Sequence, residues 1–256
     1  MVDNCVVPIF DEPRFITNNF SVHIPRNTDV RRAADRFESV LTGHYGPANV
    51  TPVPDEMDPI IPRLIFSSTH GFSQILASQV NIVFIVRYSE DWQVNLESRS
   101  AYVKEHAALM FALAETLGTK ALFCSLNSEV QVPATVEDER TVALLSEKLL
   151  QPIVSRNVYD LALKTTTVVN DKFFSNLTVS NFRIWEAHQP QLRDIVPLPK
   201  TAATQWGISF VNDFNDRYSF NEKEGYSCTY EKAKELLHVA ETHLHEKIHD
   251  LMGENA

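Results

Sequence analysis

The sequence predicts an α+β fold made of two related halves of mostly antiparallel sheet, with helices packed on one face and a long C-terminal helix. Segments that alternate between apolar and polar residues occur in groups, and helical segments with apolar stripes separate these groups. Strands and helices do not alternate strictly, as a doubly wound parallel sheet would require. The order of segments predicts an N-terminal half at 1–135 and a C-terminal half at 136–256. It leaves open whether the halves pack as one domain.

The strands of the first half are one early strand, a group of three and a later strand, predicted at 18–24, 63–68, 72–79, 80–88 and 121–132. The run 82–86 is wholly apolar, which predicts a central strand covered on both faces. The connection at 43–62 contains five prolines and no clear periodicity. It is therefore predicted to be a long loop.

Two helices are predicted in the first half, at 28–41 and 100–117. A serine at 98 or 100 is expected to cap the second helix, and Gly118 follows its end. The buried face of this helix is predicted to contain Tyr102, His106, Leu109, Leu113 and Leu117. His106 is accordingly expected to be a core or edge histidine with a satisfied hydrogen bond.

The second half begins at an acidic break, 136–140, and continues with a helix around 142–149. Three strands are predicted at 158–169, 177–185 and 206–214, and 188–200 is a proline-containing connection. The chain closes with a helix at 229–252. Its apolar stripe consists of Ala233, Leu237, Ala240, Leu244, Ile248 and Leu251.

Four features together resemble a known family. They are the segment IIPRLIFSSTHGFSQILASQVNIVFIVRY, the helix–strand step from His106 to Val132, the strand GISFVNDFNDRYSF and the closing amphipathic helix. The chain is similar in these features, over most of its length, to a sporadically distributed family of bacterial and archaeal proteins whose function is uncharacterised. The resemblance implies a prokaryotic, cytosolic α+β protein. It supplies no activity, cofactor or catalytic residue.

The composition excludes several classes of function. The 256 residues include 23 Lys+Arg and 33 Asp+Glu, a formal net charge of −10. A nucleic-acid partner is therefore not expected. The chain contains 7 glycines and lacks the Gly-rich motifs of P-loop and Rossmann proteins and the nucleophile elbow of α/β-hydrolases. No cofactor is predicted.

The N-terminal segment lacks the basic and apolar regions of a signal peptide. No window approaches the roughly 20 apolar residues that span a bilayer, so no membrane partner is expected. The cysteines, Cys5, Cys124 and Cys228, are odd in number and far apart in sequence. Neither a disulfide framework nor a zinc knuckle is therefore expected. We predict a cytoplasmic protein with reduced thiols, in which Cys124 is a packing residue.

The most specific chemical motif is on the C-terminal helix. His245, Glu246 and His249 form the pattern H-E-x-x-H, in which two histidines ligate zinc and the glutamate acts as general base. A metal-dependent hydrolase is therefore one hypothesis. At about 100° per residue, however, Glu246 points away from the apolar stripe and toward solvent, whereas a peptidase requires this glutamate in a cleft.

A metal site without catalysis is a weaker version of this hypothesis. Glu241, His245 and His249 are spaced four residues apart and share one ridge of the helix, so they could ligate a structural metal. They could also pair with acidic residues of another subunit or respond to mild acid. An ordinary solvated helix face is the leading interpretation. Similarly, the cluster of Asp213, Asn215 and Asp216 after a strand could hold a cation but is more typical of a turn.

The leading prediction is a non-enzymatic protein-binding or assembly protein that forms homo-oligomers. Polar strand faces, sheet edges and the histidine-bearing helix would provide the interaction surfaces. The metal-dependent hydrolase is the alternative. A small-ligand binder with the 43–62 loop as a lid is a third possibility, although no motif in the sequence positions a ligand.

Overall fold

A computed structural model describes residues 9–150, 158–185 and 198–253 of the chain. Within these ranges, nine strands form one sheet with the order β2-β3-β4-β5-β1-β6-β9-β8-β7, and every neighbouring pair is antiparallel. The strands are β1 (Arg14–His23), β2 (Asn49–Val50), β3 (Leu64–Ser67), β4 (Ser73–Ala77), β5 (Asn81–Arg87), β6 (Phe123–Pro133), β7 (Ala162–Val169), β8 (Phe173–Ile184) and β9 (Gln205–Asn215). The α+β prediction and the antiparallel sheet are confirmed.

Six α-helices are formed by the described residues: α1 (Ala34–Leu41), α2 (Glu90–Gln93), α3 (Leu96–Thr116), α4 (Asp138–Leu150), α5 (Arg217–Glu222) and α6 (Tyr230–Met252). Helix α3 packs on β1 and β5, while α6 packs on β6 and β9. The strand residues beneath these helices are buried at alternate positions, as in a sheet covered on one face. The long C-terminal helix is confirmed as α6.

Strands β1 and β6 join the sheet at its centre. Strand β1 pairs with β5 and β6, and β6 pairs with β1 and β9. One continuous sheet therefore includes both predicted halves, because β6 precedes the boundary at residue 135 and its partner β9 follows it. The hydrophobic core also extends across both halves. Large buried side chains of β1, β5 and β9 lie under the helices: Phe20, Phe84, Phe210 and Phe214. Burying each contributes about 1.5–3 kcal/mol.

The prediction that the run 82–86 is covered on both faces is wrong. Ile82, Phe84 and Val86 are fully buried, whereas Val83 and Ile85 are only partly buried on the other face. An apolar run predicts two covered faces because parallel sheets carry helices on both sides. This sheet is antiparallel, and its partly exposed face simply contains β-branched residues.

The predicted bounds of several elements also differ from the structure. Helix α3 begins at Leu96 because the side chain of Asn95, rather than Ser98 or Ser100, accepts a hydrogen bond from the backbone N–H of Ser98. Its buried face is rotated from the predicted one and includes Arg99, Val103, His106, Ala107, Met110, Leu113 and Ala114. The helix predicted at 28–41 is a 3-10 turn, Val30–Ala33, followed by α1.

The connection between β7 and β8 is shorter than predicted. Strand β8 begins at Phe173, because Asn170 and Asp171 adopt φ angles of 54° and 51° and form a two-residue turn. Asn and Asp tolerate this left-handed conformation, which matches the twist of a hairpin. Most of the predicted connection at 188–200 lies outside the described residues.

The 43–62 loop is held by a buried arginine. Arg63 is 1% exposed, and its guanidinium donates to the backbone carbonyls of Ile61, Pro54 and Met57. Asp55 lies 3.8 Å from its Nε atom. The loop is thus built around a fixed cation, and it carries the short edge strand β2.

Gly207 lies where the sheet has no room for a side chain. A methyl group added there would meet the carbonyl oxygen of Val132 at 2.1 Å and Phe182 at 2.9 Å. We expect Gly207→Ala to lower the free energy of unfolding by about 1–3 kcal/mol, as overpacking does elsewhere. Urea denaturation measures this. Gly46→Ala is the matched control, because its methyl group would meet only a carbonyl at 3.8 Å, and equal losses in both variants would contradict the prediction.

His23 at the end of β1 predicts a loss of stability in mild acid. Its ring stacks on Phe123, and burial, opposed by Asp213 and reinforced by Arg217, lowers its pKa from 6.5 to about 4. Between these values the unfolded chain binds a proton that the folded protein does not, so stability falls as the pH falls. We expect His23→Gln to remove about 1–3 kcal/mol of the difference in unfolding free energy between pH 7 and pH 4. An unchanged pH profile would contradict this.

Candidate functional site

A pocket lies between α3 and α6, above the paired strands β1 and β6 at the centre of the sheet. Its floor is formed by Phe15, Asn18, Leu126 and Ser128, and its walls come from the N-terminal part of α3 and the middle of α6. The cavity is about 30 Å³ and is open on one side. This is room for one small group rather than a whole metabolite. We call it the α3–α6 pocket.

A β-bulge shapes the floor. The register of β1 against β6 shifts between Phe15 and Thr17, so that Phe15 and Asn18 are both buried beneath the helices. In a regular strand, residues three apart would point to opposite faces. The bulge therefore places an aromatic ring and an amide side by side in the pocket, as bulges do when they redirect side chains.

Arg99 is the most unusual side chain in the pocket. It lies in the first turn of α3, where the Asn95 cap fixes the helix, and it is 4% exposed. The centre of its guanidinium lies 3.5 Å from the centre of the Phe15 ring and 5.9 Å from that of Tyr88. These cation–π contacts hold the group in place but supply no hydrogen-bond acceptor.

In the described parts of the chain, the guanidinium of Arg99 has neither a hydrogen-bond partner nor an ion pair. Its Nε atom is buried without a partner, as is the hydroxyl of Tyr88. Burial lowers the pKa of Arg99 to about 10, with Tyr88 and Glu241 opposing the effect, so the group is charged at pH 7. A buried cation without an anion is costly, and proteins rarely retain one without a use for it.

Four other polar side chains of the pocket are bonded to each other in two pairs. Asn18 donates to the hydroxyl of Ser128 at 2.8 Å, and Ser100 donates to a carboxylate oxygen of Glu241 at 3.2 Å. Apolar side chains complete the lining: Val103, Leu126, Leu237 and Leu244. Arg99 therefore provides an unpaired positive charge at the base of the pocket, and Lys104 lines its partly exposed side.

The sequence-predicted metal residues lie on the same helix but do not converge. Glu241 faces the α3–α6 pocket, His245 packs on Phe15 with ring centres 5.5 Å apart, and His249 is exposed. Glu246 is exposed, as its position on the helix predicts. Glu246 lines an open pocket with His238 and His243, but neither His245 nor His249 lines that pocket. The metal site at Glu241, His245 and His249 stays a prediction.

The Nε2 atom of His245 is buried without a hydrogen-bond partner among the described residues. Burial lowers its pKa, opposed by Glu241 and reinforced by Arg99. The imidazole is therefore held in its neutral form. His245 borders the α3–α6 pocket, because its ring packs on Phe15, which also contacts the guanidinium of Arg99.

Among the described residues, the structure gathers one group of three potential metal ligands, and it lies elsewhere. Cys124, Asp216 and Cys228 are all buried, and their ligand atoms lie within 4.8 Å of one another. The sequence separates the two cysteines by 104 residues, so no spacing motif could have joined them. Asp216 is buried below the surface turn that the sequence predicts.

The predicted burial of His106 and Cys124 is confirmed. His106 is a core histidine whose Nδ1 atom lies 2.8 Å from the carbonyl oxygen of Tyr102 and whose ring stacks on Phe84. Cys124 is fully buried in the core. No helix of the described ranges is long and apolar enough to cross a membrane.

The sequence matches no family model and no curated protein. The resemblance to a prokaryotic family therefore stays a prediction, and function has to be inferred from geometry.

Proposed function

We propose that the protein is a non-enzymatic binding protein that holds a carboxylate group of its partner in the α3–α6 pocket. The unpaired, buried guanidinium of Arg99 is the observation that carries this proposal. Arginine binds carboxylates through parallel N–H donors, and such charge-assisted bonds are about twice as strong as neutral ones. A carboxylate would supply the acceptors that the pocket lacks.

Charge and size favour a carboxylate over a phosphate. The pocket offers one cation at its base, with the Glu241 carboxylate on the facing helix, so a dianion would be repelled. The cavity of about 30 Å³ admits one head group. The rest of the ligand has to lie outside, against Ser100 and Lys104 at the partly exposed side.

A polypeptide is the source of this carboxylate that agrees with the predicted protein-binding role. An acidic side chain or a chain terminus presents the group on a tether, which suits a cavity that encloses only the end of its ligand. Free short-chain acids share the same chemistry. The two sources differ in whether contacts outside the pocket add affinity.

We expect saturable binding of acetate, butyrate and benzoate at the pocket, because each can place a carboxylate against Arg99. Amide chemical shifts of Ser100, Lys104 and Leu244 provide the measurement. An acidic peptide library adds the second arm, and tighter binding by peptides identifies a polypeptide partner. Arg99→Met should abolish both, whereas Arg87→Met should not, because Arg87 is exposed at the end of β5. Equal binding by both variants, or no saturable shifts, would contradict the proposal.

The stability of Arg99→Met separates a binding role from a structural one. Removing a cation without an ion pair relieves its desolvation cost, so the free energy of unfolding should stay within about 1 kcal/mol of the wild-type value. A much larger loss would instead identify Arg99 as an anchor for Phe15.

Two related halves remain the architecture that we propose for this chain. Each half would contain a strand, a helix, a three-stranded meander and a helix: β1, α1, β3–β5 and α3, then β6, α4, β7–β9 and α6. The boundary would then fall between α3 and β6, ahead of the one that the sequence predicts after residue 135. The last meander strand pairs with the first strand in both, as β5 with β1 and β9 with β6. The α3–α6 pocket would then lie at the junction, where binding sites commonly form.

Self-association is a second candidate function, and the edge strand β7 favours it. Most β7 side chains are exposed, and its outer edge pairs with no strand of the described residues. Lys164 is the one charged residue of β7, so little charge on this strand opposes pairing with another strand. Two copies could pair their β7 strands antiparallel about a two-fold axis.

Light scattering after size exclusion tests this assembly. We expect a dimer for the wild-type protein and a monomer for Thr165→Lys/Thr167→Lys, because like charges facing each other across a ladder are destabilising. Thr242→Lys, at an exposed position of α6, is the control and should remain dimeric. A wild-type monomer at every concentration would contradict the candidate.

A further inference from the structure

The cluster of Cys124, Asp216 and Cys228 lies where three separate parts of the chain meet. Cys124 is near the start of β6, Asp216 follows β9, and Cys228 precedes α6. Backbone hydrogen bonds fix all three. The N–H of Cys124 donates to Asp216 Oδ1 at 2.6 Å, the N–H of Asp216 donates to the carbonyl of Cys124 at 3.2 Å, and the N–H of Cys228 donates to the carbonyl of Ala121 at 3.0 Å.

The two sulfur atoms are free thiols that lie 3.3 Å apart. Two sulfurs bound to one tetrahedral zinc ion, each at about 2.3 Å, lie roughly 3.8 Å apart. The sulfur–sulfur distance is therefore within about half an ångström of the value that a shared zinc ion requires. The thiols need only a small rotation, because their backbones are already fixed.

Asp216 is the third potential ligand of the cluster. Asp216 is 1% exposed, and its carboxylate accepts from the hydroxyl of Tyr226 at 2.6 Å as well as from Cys124. It forms no ion pair with any cation of the described residues. Burial raises the pKa of Asp216, an effect that its hydrogen bonds oppose, and burial also raises the pKa of the Cys124 thiol.

We propose that Cys124, Cys228 and Asp216 bind one thiophilic divalent cation, with Zn²⁺ as the preferred ion. Two thiolates and a carboxylate are ligands typical of zinc, and thiolates select it over Mg²⁺ or Ca²⁺. Binding releases the two thiol protons, and the bound anions leave the site with a net charge of −1. The fourth position falls to water or to the phenol oxygen of Tyr226. Full burial makes this site structural.

The site is distinct from the one predicted on the C-terminal helix, and one experiment tests both. The protein is purified under reducing conditions without a histidine tag, titrated with Zn²⁺, freed of excess metal and analysed by elemental mass spectrometry. We expect one equivalent of zinc in the wild-type protein and in His245→Ala/His249→Ala. We expect loss of zinc in Cys228→Ser and weaker binding in Asp216→Asn.

Substitution with Co²⁺ gives a readout that does not depend on the variants folding. A thiolate ligand produces an intense sulfur-to-cobalt charge-transfer absorption in the near ultraviolet, and a tetrahedral site produces strong visible bands. Their absence from the wild-type protein would overturn the proposal. So would retention of zinc in Cys228→Ser, loss of zinc in the double histidine variant, or a Cys124–Cys228 disulfide that persists under reduction. The carboxylate pocket is unaffected by these outcomes.

Discussion

The pairing of β1 with β6 is the interaction on which the rest of the structure depends. Their pairing joins the five strands from β2 to β1 to the four strands from β6 to β7 in one sheet. Their ladder also fixes which side chains face α3 and α6, since a slip of one residue would exchange the two faces. The bulge next to Phe15 adjusts this pairing locally, and it brings Phe15 beside Asn18 under the helices.

The α3–α6 pocket follows from that arrangement. Two helices that pack above two central strands leave a gap between them, and Arg99 enters this gap because Asn95 starts α3 one turn before it. The ring of Phe15 stabilises the guanidinium from one side but accepts no hydrogen bond. The buried charge is therefore stabilised by aromatic contacts and by the charge of Glu241, without a hydrogen-bonded anion, which is the arrangement of a site prepared for an anion.

Local patterns predicted the elements whose two faces differ strongly. Alternation located β6 and β9, and the apolar stripe located α6. The sequence could not predict features that depend on distant contacts, such as the approach of Cys124 to Cys228. It also gave the wrong buried face for α3, because the apolar residues of this helix surround it almost evenly. The sequence pattern therefore does not predict the burial of Arg99. The one signal for it is that Arg99 lies in line with Val103, Ala107 and Met110 on the helix.

The two candidate sites share the same two elements, which gives the cation site a consequence for the pocket. Strand β6 carries Cys124 and, on the same face, Leu126 and Ser128 of the pocket floor. Helix α6 begins just after Cys228 and carries Leu237 and Glu241 of the pocket wall. A cation bound between the cysteines would fix the start of α6 against β6. Since the pocket lies between these elements, such a link would hold its wall at a constant distance from its floor and reduce the entropy lost when a ligand binds.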